Sequence, residues 1–283
     1  MNEHYTPGVL ASLATRLTGR DRHLLRLVWT HTVLTCHQIT ELAFNGPITA
    51  RHRLVKLNRI GVLDRFRPKP PVGSAPWHYV LGEAGAAVLA TEDGVDLPEF
   101  GYRRDRALSI AYSQRLAHTV GTNEVFARLY GAARRTPGCR LRAWWPEARC
   151  AAQWGTYVRP DAYGRWTENG RTLDFFLEYD TGTETFDRVL AKLSGYAALT
   201  AATGITTPVL FLTPSPRRER SLHSRLQLRA AQMAVPCATA VAGTDGPEGP
   251  IWLPHDRQDL RLGLAGLAEH WPQSATSAEE GCR

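Results

Sequence analysis

The chain has 283 residues and a hydrophobic fraction of 43%, which suffices for one large or two ordinary folded domains. It contains no apolar run of about eighteen residues and no signal-peptide pattern, so we expect a cytoplasmic protein without a membrane segment. Its five cysteines are scattered and never spaced as CxxC, which argues against a disulfide framework and against a structural zinc site.

The net charge of +7 is distributed unevenly along the chain. Residues 1–80 contain eleven Lys or Arg and four Asp or Glu, whereas residues 81–283 contain twenty-three of each kind. The first third therefore carries the whole positive excess, which indicates binding to a polyanion such as DNA. A basic surface that serves only solubility is the alternative interpretation.

Three short helices are predicted in this basic third of the chain. Thr18 is expected to cap the first helix, and Thr35 is expected to cap the second, which covers Cys36–Phe44. Asn45-Gly46-Pro47 then predicts a tight break. A third helix is expected from about Thr49 to Ile60, where a glycine follows and ends it.

The third helix has one apolar face and one basic face. Ala50, Leu54, Leu57 and Ile60 share one side of it. Such a helix suits the major groove of DNA, because one face packs on the protein while the other meets bases and phosphates. A solvated basic face is the alternative. The predicted DNA contacts on this helix are Arg51, His52, Arg53, Lys56 and Arg59.

A basic hairpin is predicted directly after the third helix. Residues 62–67 and 77–81 read as strands on either side of a Pro/Gly turn over residues 68–76. The helices and hairpin resemble the winged helix-turn-helix family, which implies a DNA-binding domain over residues 1–92. A winged helix used for protein contacts is the alternative, and a helix over 83–89 is expected to pack or to mediate a homodimer. The wing's predicted phosphate contacts are Arg65, Arg67 and Lys69.

A second domain is predicted over residues 105–270, after a connector over 93–104 and before a disordered tail over 271–283. Its expected order is α-β-β-β-α-β-α-β. The helices are predicted over 105–135, 185–200 and 217–233, and the strands over 141–145, 157–163, 173–179, 208–212 and 236–241.

Acidic residues converge on two neighbouring strands of this order. Asp161 ends the second strand, and Glu178 and Asp180 share one face of the third because side chains alternate. If the two strands pair, the three carboxylates meet, and a Mg²⁺ or Mn²⁺ ion between them would relieve their repulsion and activate water against a phosphate. The alternatives are a simple Pro-Asp turn and the solvent face of an edge strand.

This order and these acidic positions resemble the PD-(D/E)XK, restriction-endonuclease-like fold. The chain as a whole, over about residues 15–215, resembles the actinobacterial replication-relaxation family. This resemblance implies a role in plasmid replication, DNA relaxation or conjugative transfer. The segments that match the family are His118 to Asn123-Glu124, Pro160-Asp161-Ala162, Phe176 to Asp180 with Thr183-Glu184, and Lys192 to Tyr196.

The chain departs from the nuclease pattern at the third motif position, where Asp180 replaces the expected lysine. Lys192 on the next helix could replace that lysine in stabilising the transition state, although a snorkelling surface lysine is the alternative. Glu124 matches the place where some relatives carry a further acidic metal ligand. Tyr196 is either a covalent DNA nucleophile or a packing residue.

The sequence therefore predicts an α/β (α+β) DNA-binding protein of a mobile element, and it leaves two functions open. One is metal-dependent DNA nicking, in which Asp161, Glu178 and Asp180 hold the metal and Lys192 assists. The other is a non-catalytic replication initiator or regulator that retains an inactive nuclease-like fold. The expected partners are double-stranded DNA and a second copy of the chain, with no membrane and no small-molecule cofactor.

Overall fold

The computed structural model describes residues 7–70, 73–229, 233–243 and 245–272. The chain forms two compact units, Met1–Ala127 and Arg128–Arg283. Helices and two β-sheets are present, which confirms the α+β class. None of the described helices is long and apolar enough to cross a membrane.

The first unit combines helices with a small sheet. The central strand of this sheet, His78–Leu81, runs antiparallel to Leu34–Thr35 on one side and to Leu63–Phe66 on the other. The three helices and the hairpin expected from the sequence are thereby confirmed. The elements in chain order are α1 (Pro7–Arg16), α2 (Gly19–His31), β1 (Leu34–Thr35), α3 (Cys36–Ala43), α4 (Pro47–Arg59), β2 (Leu63–Phe66), β3 (His78–Leu81) and α5 (Glu83–Asp93).

The starts of α2 and α3 are closed by the two predicted cap residues. Thr18 and Asp21 exchange hydrogen bonds between side chain and backbone, and Thr35 and Gln38 form the same reciprocal pair. Each pair satisfies amide groups that a helix start otherwise leaves without partners. α4 instead begins at a proline and has no side-chain cap.

The buried face of α4 places the helix on the core of the first unit. Ala50, Leu54 and Leu57 are at most 1% exposed. After the helix, Gly61 adopts φ of 74°, a left-handed conformation that glycine reaches without a steric penalty. This turn directs the chain into β2, so the hairpin follows the basic helix at once.

The remainder of the first unit contains α6 (Leu97–Phe100), α7 (Arg104–Ser109), a 3₁₀ turn (Ile110–Tyr112) and the first part of α8 (Leu116–Arg135). The prediction of one continuous helix over residues 105–135 is therefore wrong, because the helical segment is interrupted between Tyr112 and Leu116. The Ser113 hydroxyl accepts a hydrogen bond from the Arg115 amide, and such a side-chain bond competes with the helical pattern.

Buried hydrogen bonds join the start of α8 to the first unit. The Asn123 side chain donates to the carbonyls of His31 and Val33 over 3.1 and 2.9 Å, and Gln38 donates to the Val120 carbonyl over 2.8 Å. The two units consequently divide inside α8, whereas the sequence suggested a connector over residues 93–104. Residues 105–127 thus pack with the first unit.

The second unit is built on a six-stranded mixed sheet, in which strands that follow one another along the chain are also neighbours in the sheet. The strands are β4 (Cys139–Pro146), β5 (Ala162–Glu168), β6 (Arg171–Tyr179), β7 (Val209–Thr213), β8 (Cys237–Val241) and β9 (Leu253–Pro254). β4 to β6 are antiparallel, β6 to β8 are parallel, and β9 is antiparallel to β8. The helices are α9 (Glu147–Trp154), α10 (Phe186–Thr203), α11 (Pro216–Gln227) and α12 (Leu264–His270).

The strand predicted over residues 157–163 is wrong in its bounds, because β5 begins at Ala162 and α9 precedes it. The rings of Trp145 and Trp154 stack with centroids 5.3 Å apart, so the apolar residues of this region serve a helix–strand contact. β7 is buried along its whole length, as predicted for a central parallel strand. The basic helix predicted over 217–233 corresponds to α11, which ends at Gln227. Residues 230–232 of that prediction and residues 273–283 of the predicted tail lie outside the described residues.

Candidate functional site

The outward face of α4 forms the first candidate site. Arg51, His52, Lys56 and Arg59 are exposed on this helix, and no Asp or Glu lies within it. The buried face of the same helix anchors it, so these basic side chains project from a fixed support. They are four of the five contacts that the sequence predicted for this helix.

Arg53, the fifth predicted contact, is directed into the first unit. Its guanidinium donates to both carboxylate oxygens of Asp21, over 3.0 and 2.5 Å, and to the Arg16 carbonyl over 2.8 Å. Asp21 is 0% exposed. Because Asp21 accepts these bonds as a carboxylate, the contacts with Arg53 and Thr18 lower its pKa in spite of burial, which acts in the opposite direction.

The predicted wing residues lie on the hairpin β2–β3 and the loop that joins its strands. The guanidinium of Arg65 lies 4.2 Å from the ring centroid of Trp77, and that of Arg67 lies 5.7 Å from it. Arg67 also donates to the Ala75 carbonyl over 2.7 Å and to the Ser74 hydroxyl over 2.8 Å. Lys69 is exposed on the loop. The two arginines are thus held in defined positions by the hairpin itself.

The predicted carboxylates lie where β5 begins and β6 ends. Antiparallel pairing sets Ala162 opposite Leu177, so the preceding Asp161 comes beside Glu178. Asp161 accepts a hydrogen bond of 2.8 Å from the Tyr179 amide. The neighbouring strands therefore bring these two acidic residues together, although Asp161 stands before its strand rather than at its end.

Glu178 is buried between a cation and a phenol, both supplied by α10. One oxygen pairs with the Lys192 ammonium, and the other accepts a hydrogen bond of 2.5 Å from the Tyr196 hydroxyl. Burial and the neighbouring Asp161 raise the pKa of Glu178, while Lys192 and Tyr196 oppose that rise. Burial lowers the pKa of Lys192, but the charges of Glu178 and Asp161 outweigh it and raise that pKa overall. Lys192 therefore carries its positive charge beside Glu178 and Asp161, which together with Asp180 are called the acidic cluster below.

Tyr196 is 1% exposed, and its hydroxyl is a donor within the same cluster. Burial raises the pKa of Tyr196 well above its usual value, and the charge of Glu178 adds to this effect. A covalent nucleophile must reach its substrate and lose its proton readily. The position of Tyr196 favours the packing role over the nucleophilic one.

Asp180 is neutralised separately by a residue of α11. Arg218 donates to its two oxygens over 2.6 and 3.2 Å, and the Gly182 amide donates over 2.7 Å. The Arg218 guanidinium also lies 4.2 Å from the ring centroid of Phe186. Glu178 and Asp180 thus pair with different cations, which come from different helices.

The expected Mg²⁺ or Mn²⁺ ion finds a poor donor set in this arrangement. Both oxygens of Glu178 and both oxygens of Asp180 accept bonds from protein donors, and each side chain is 4% exposed. Glu124, the fourth predicted ligand, is exposed and belongs to the first unit. The part of the chain that the structure describes contains no group of three or more His, Cys, Asp or Glu able to hold a metal ion. These residues therefore do not fit a divalent cation as they stand.

A second basic surface lies where α8 ends and β4 begins. It is a shallow concavity within the second unit, lined by exposed arginines from both elements. The even charge balance of residues 81–283 conceals this local concentration of positive charge. Its arginines are Arg134, Arg135, Arg140 and Arg142.

Arg218 and Trp77 belong to these sites but are not among the functional residues predicted from the sequence. The local pattern around Arg218 shows only a basic helix, because its partner Asp180 lies 38 residues earlier in the chain. Trp77 could have been recognised as an aromatic residue facing two arginines across a predicted hairpin. Both contacts depend on pairing of elements rather than on local periodicity.

The fold and these surfaces define an α+β protein of two units, one with an outward basic helix and hairpin and one with a buried acid–base cluster. The chain belongs to the replication-relaxation family, whose family model matches residues 25–214. The matched region begins within α2 and ends just after β7, so it includes α4, the hairpin, and Asp161, Glu178, Asp180 and Lys192, but not Arg218. No curated protein and no solved structure matches the chain.

Proposed function

We propose that this protein binds double-stranded DNA during the replication or relaxation of a plasmid or other mobile element, and that its first unit is the winged helix that does so. The family supports the process. The order α2-β1-α3-α4-β2-β3 supports the winged-helix assignment, because α4 then takes the place of a recognition helix and the hairpin that of a wing.

The exposed face of α4 is the observation that carries this proposal. Its four basic side chains are exposed, and α4 itself contains no acidic residue that would offset their charge. Neutralisation of phosphates by such groups releases counterions and supplies most of the sequence-independent affinity for DNA. Arg65, Arg67 and Lys69 would extend the same contact along the backbone.

Titration of the full-length protein with labelled duplex at fixed salt tests the proposal. Lys56→Ala and Arg59→Ala should each weaken binding by about 1–3 kcal/mol if they contact bases, and by less if they contact phosphates only. Arg106→Ala is the matched control, because it removes one exposed charge from α7 of the same unit. If all three variants bound the duplex with the affinity of the wild type, α4 would not be part of the DNA interface.

For the second unit we propose a non-catalytic role on a nuclease-like scaffold. Lys192 and Arg218 supply as side chains the positive charge that a metal would otherwise bring, and Tyr196 occupies the remaining oxygen of Glu178. The protein would then act as a replication initiator or regulator. Its second unit would serve as a structural scaffold and would not hydrolyse DNA.

Incubation with supercoiled plasmid carrying the element's own origin tests this second proposal. With Mg²⁺ or Mn²⁺ present, the protein should bind the plasmid and leave it supercoiled. Appearance of open-circular DNA that is lost in Glu178→Gln, but retained in Arg106→Ala, would instead establish a nicking enzyme.

A further inference from the structure

An aliphatic stripe runs along the outward face of α4, among the basic residues. Ile48 is 74% exposed in the first turn of this helix. Val55 is half-buried seven positions later, which returns it to the same side after two turns. Both residues lie opposite the buried Ala50, Leu54 and Leu57. Two branched aliphatic side chains therefore lie along the middle of the surface that α4 presents outward.

The basic residues lie around this stripe. Arg51 and His52, three and four positions after Ile48, lie on its two sides, and Lys56 and Arg59 continue the basic surface toward the end of the helix. An apolar protein partner would have to bury these charges, whereas nucleic acid meets them with phosphates. Charge complementarity thus favours a polyanion as the partner of this face. When α4 lies in the groove of that nucleic acid, the aliphatic stripe faces the edges of the bases.

We propose that Ile48 and Val55 contact the 5-methyl groups of thymines in the major groove, and so make this protein select sites by their thymine positions. This inference rests on the proposed function. Thymine is the base of unmodified DNA that presents a methyl group in the major groove, and apolar side chains are the groups that recognise it. The major groove of duplex RNA is too narrow for such a helix, so the occupant is B-form DNA.

The spacing along the helix limits where these thymines lie. Seven residues of α-helix span about 10 Å, and base pairs repeat at about 3.4 Å, so the two contacts fall no more than about three base pairs apart. Arg51, His52, Lys56 and Arg59 then lie beside the same short segment and can reach its phosphates or neighbouring bases.

Replacement of single thymines by deoxyuridine tests the proposal, because it removes one methyl group and keeps base pairing. A duplex selected from a random library by the wild-type full-length protein is scanned position by position. Loss of one buried methyl group should weaken binding by about fourfold at one or two positions. At the first sensitive position, Ile48→Ala should bind the thymine and the deoxyuridine duplexes with equal affinity. Val55→Ala should show the same equality at the second sensitive position.

Tyr112→Ala is the matched control, because it removes a side chain that is 93% exposed in the same unit but off α4. It should keep the full preference for thymine. Circular dichroism of Ile48→Ala should match the wild type, since an exposed side chain contributes little to the core.

Three results would overturn the inference, and they separate it from the proposed function. Tight binding with no uridine-sensitive position would leave DNA binding intact and reject methyl recognition. An unchanged preference in both Ile48→Ala and Val55→Ala would do the same. If the wild type fails to bind any duplex and Ile48→Ala instead abolishes a dimer seen in sedimentation, the stripe is a contact between copies, and the proposed function fails as well.

Discussion

Arg53 and Asp21 form a two-hydrogen-bond pair between α4 and α2, with the carboxylate fully buried. Removal of the guanidinium would leave a charge inside the first unit without its partner, which typically costs about 3 kcal/mol of folding free energy. Arg53→Ala should therefore lower the stability of the first unit by about that amount. Hydrogen exchange of the α2 amides measures the change.

Arg59→Ala serves as the comparison for this prediction, because it removes the same group from the exposed side of the same helix. Its effect on stability should stay within about 0.5 kcal/mol. If Arg53→Ala left the α2 exchange rates unchanged while weakening DNA binding, Arg53 would be a direct contact after all.

His31 should make the first unit sensitive to mild acid. Burial lowers its pKa from 6.5 to about 3. As the pH falls below 6.5, His31 becomes protonated in the unfolded chain but stays neutral in the folded state. The free energy of unfolding that is present above pH 6.5 is therefore progressively lost. By pH 5 the loss attributable to His31 should reach about 2 kcal/mol relative to pH 7.

This pH effect is measured as the difference between His31→Leu and the wild type in α2 hydrogen exchange at pH 7 and pH 5, corrected for intrinsic rates. The variant should lose less stability than the wild type over this interval. His23→Leu, which changes an exposed histidine of the same helix, should retain the wild-type slope. Parallel slopes for His31→Leu and wild type would show that His31 titrates normally.

Lys192 should make the acidic cluster independent of divalent metal. Lys192→Ala leaves Glu178 and Asp161 close together without the ammonium, and loss of one member of such a buried pair costs about 3 kcal/mol. The melting temperature of the wild type should be the same with Mg²⁺ or with a chelator. In the variant Mg²⁺ should restore part of the loss, since a cation then separates the carboxylates.

Arg188→Ala is the control for metal dependence, because Arg188 lies on the same helix with a side chain 77% exposed. It should show neither the loss of stability nor the response to Mg²⁺. A wild-type melting temperature that rises with Mg²⁺, together with calorimetric binding abolished in Glu178→Gln, would restore the metal site predicted from the sequence.

Asn123 should be needed for the first unit to fold as a whole. A fragment of residues 1–104 lacks its bonds to the His31 and Val33 carbonyls, whereas a fragment of residues 1–127 keeps them. The longer fragment should therefore melt cooperatively and at the higher temperature. Asn123→Leu in the longer fragment should remove most of the difference in melting temperature between the two fragments. Equal melting of the two fragments would place the boundary at residues 93–104, where the sequence suggested it.

Local patterns explain what could be predicted from the sequence. Thr18 and Thr35 are recognisable caps because their partners lie three residues away, and the two faces of α4 follow from its periodicity. The proximity of Asp161 and Glu178 could be predicted because the two residues lie at the same end of a pair of consecutive antiparallel strands. Each of these features depends on short sequence separation or on one hairpin.

Contacts between distant segments explain what could not be predicted. The partner of Arg53 lies 32 residues earlier, and the partner of Asp180 lies on a helix beyond a crossover. A basic residue on an amphipathic helix has the same local signature whether it faces solvent or a buried carboxylate. The role of Arg53 and the neutralisation of the acidic cluster therefore became apparent only from the folded chain.

The ammonium of Lys192 lies beside Glu178 and gives the second unit a counter-ion that dialysis cannot remove. Purification in EDTA should consequently leave the fold unharmed. The same buffer silences contaminating magnesium-dependent nucleases, so affinities for intact supercoiled plasmid can be measured over long incubations. In a cell, the second unit would keep its architecture when the concentration of free magnesium rises or falls.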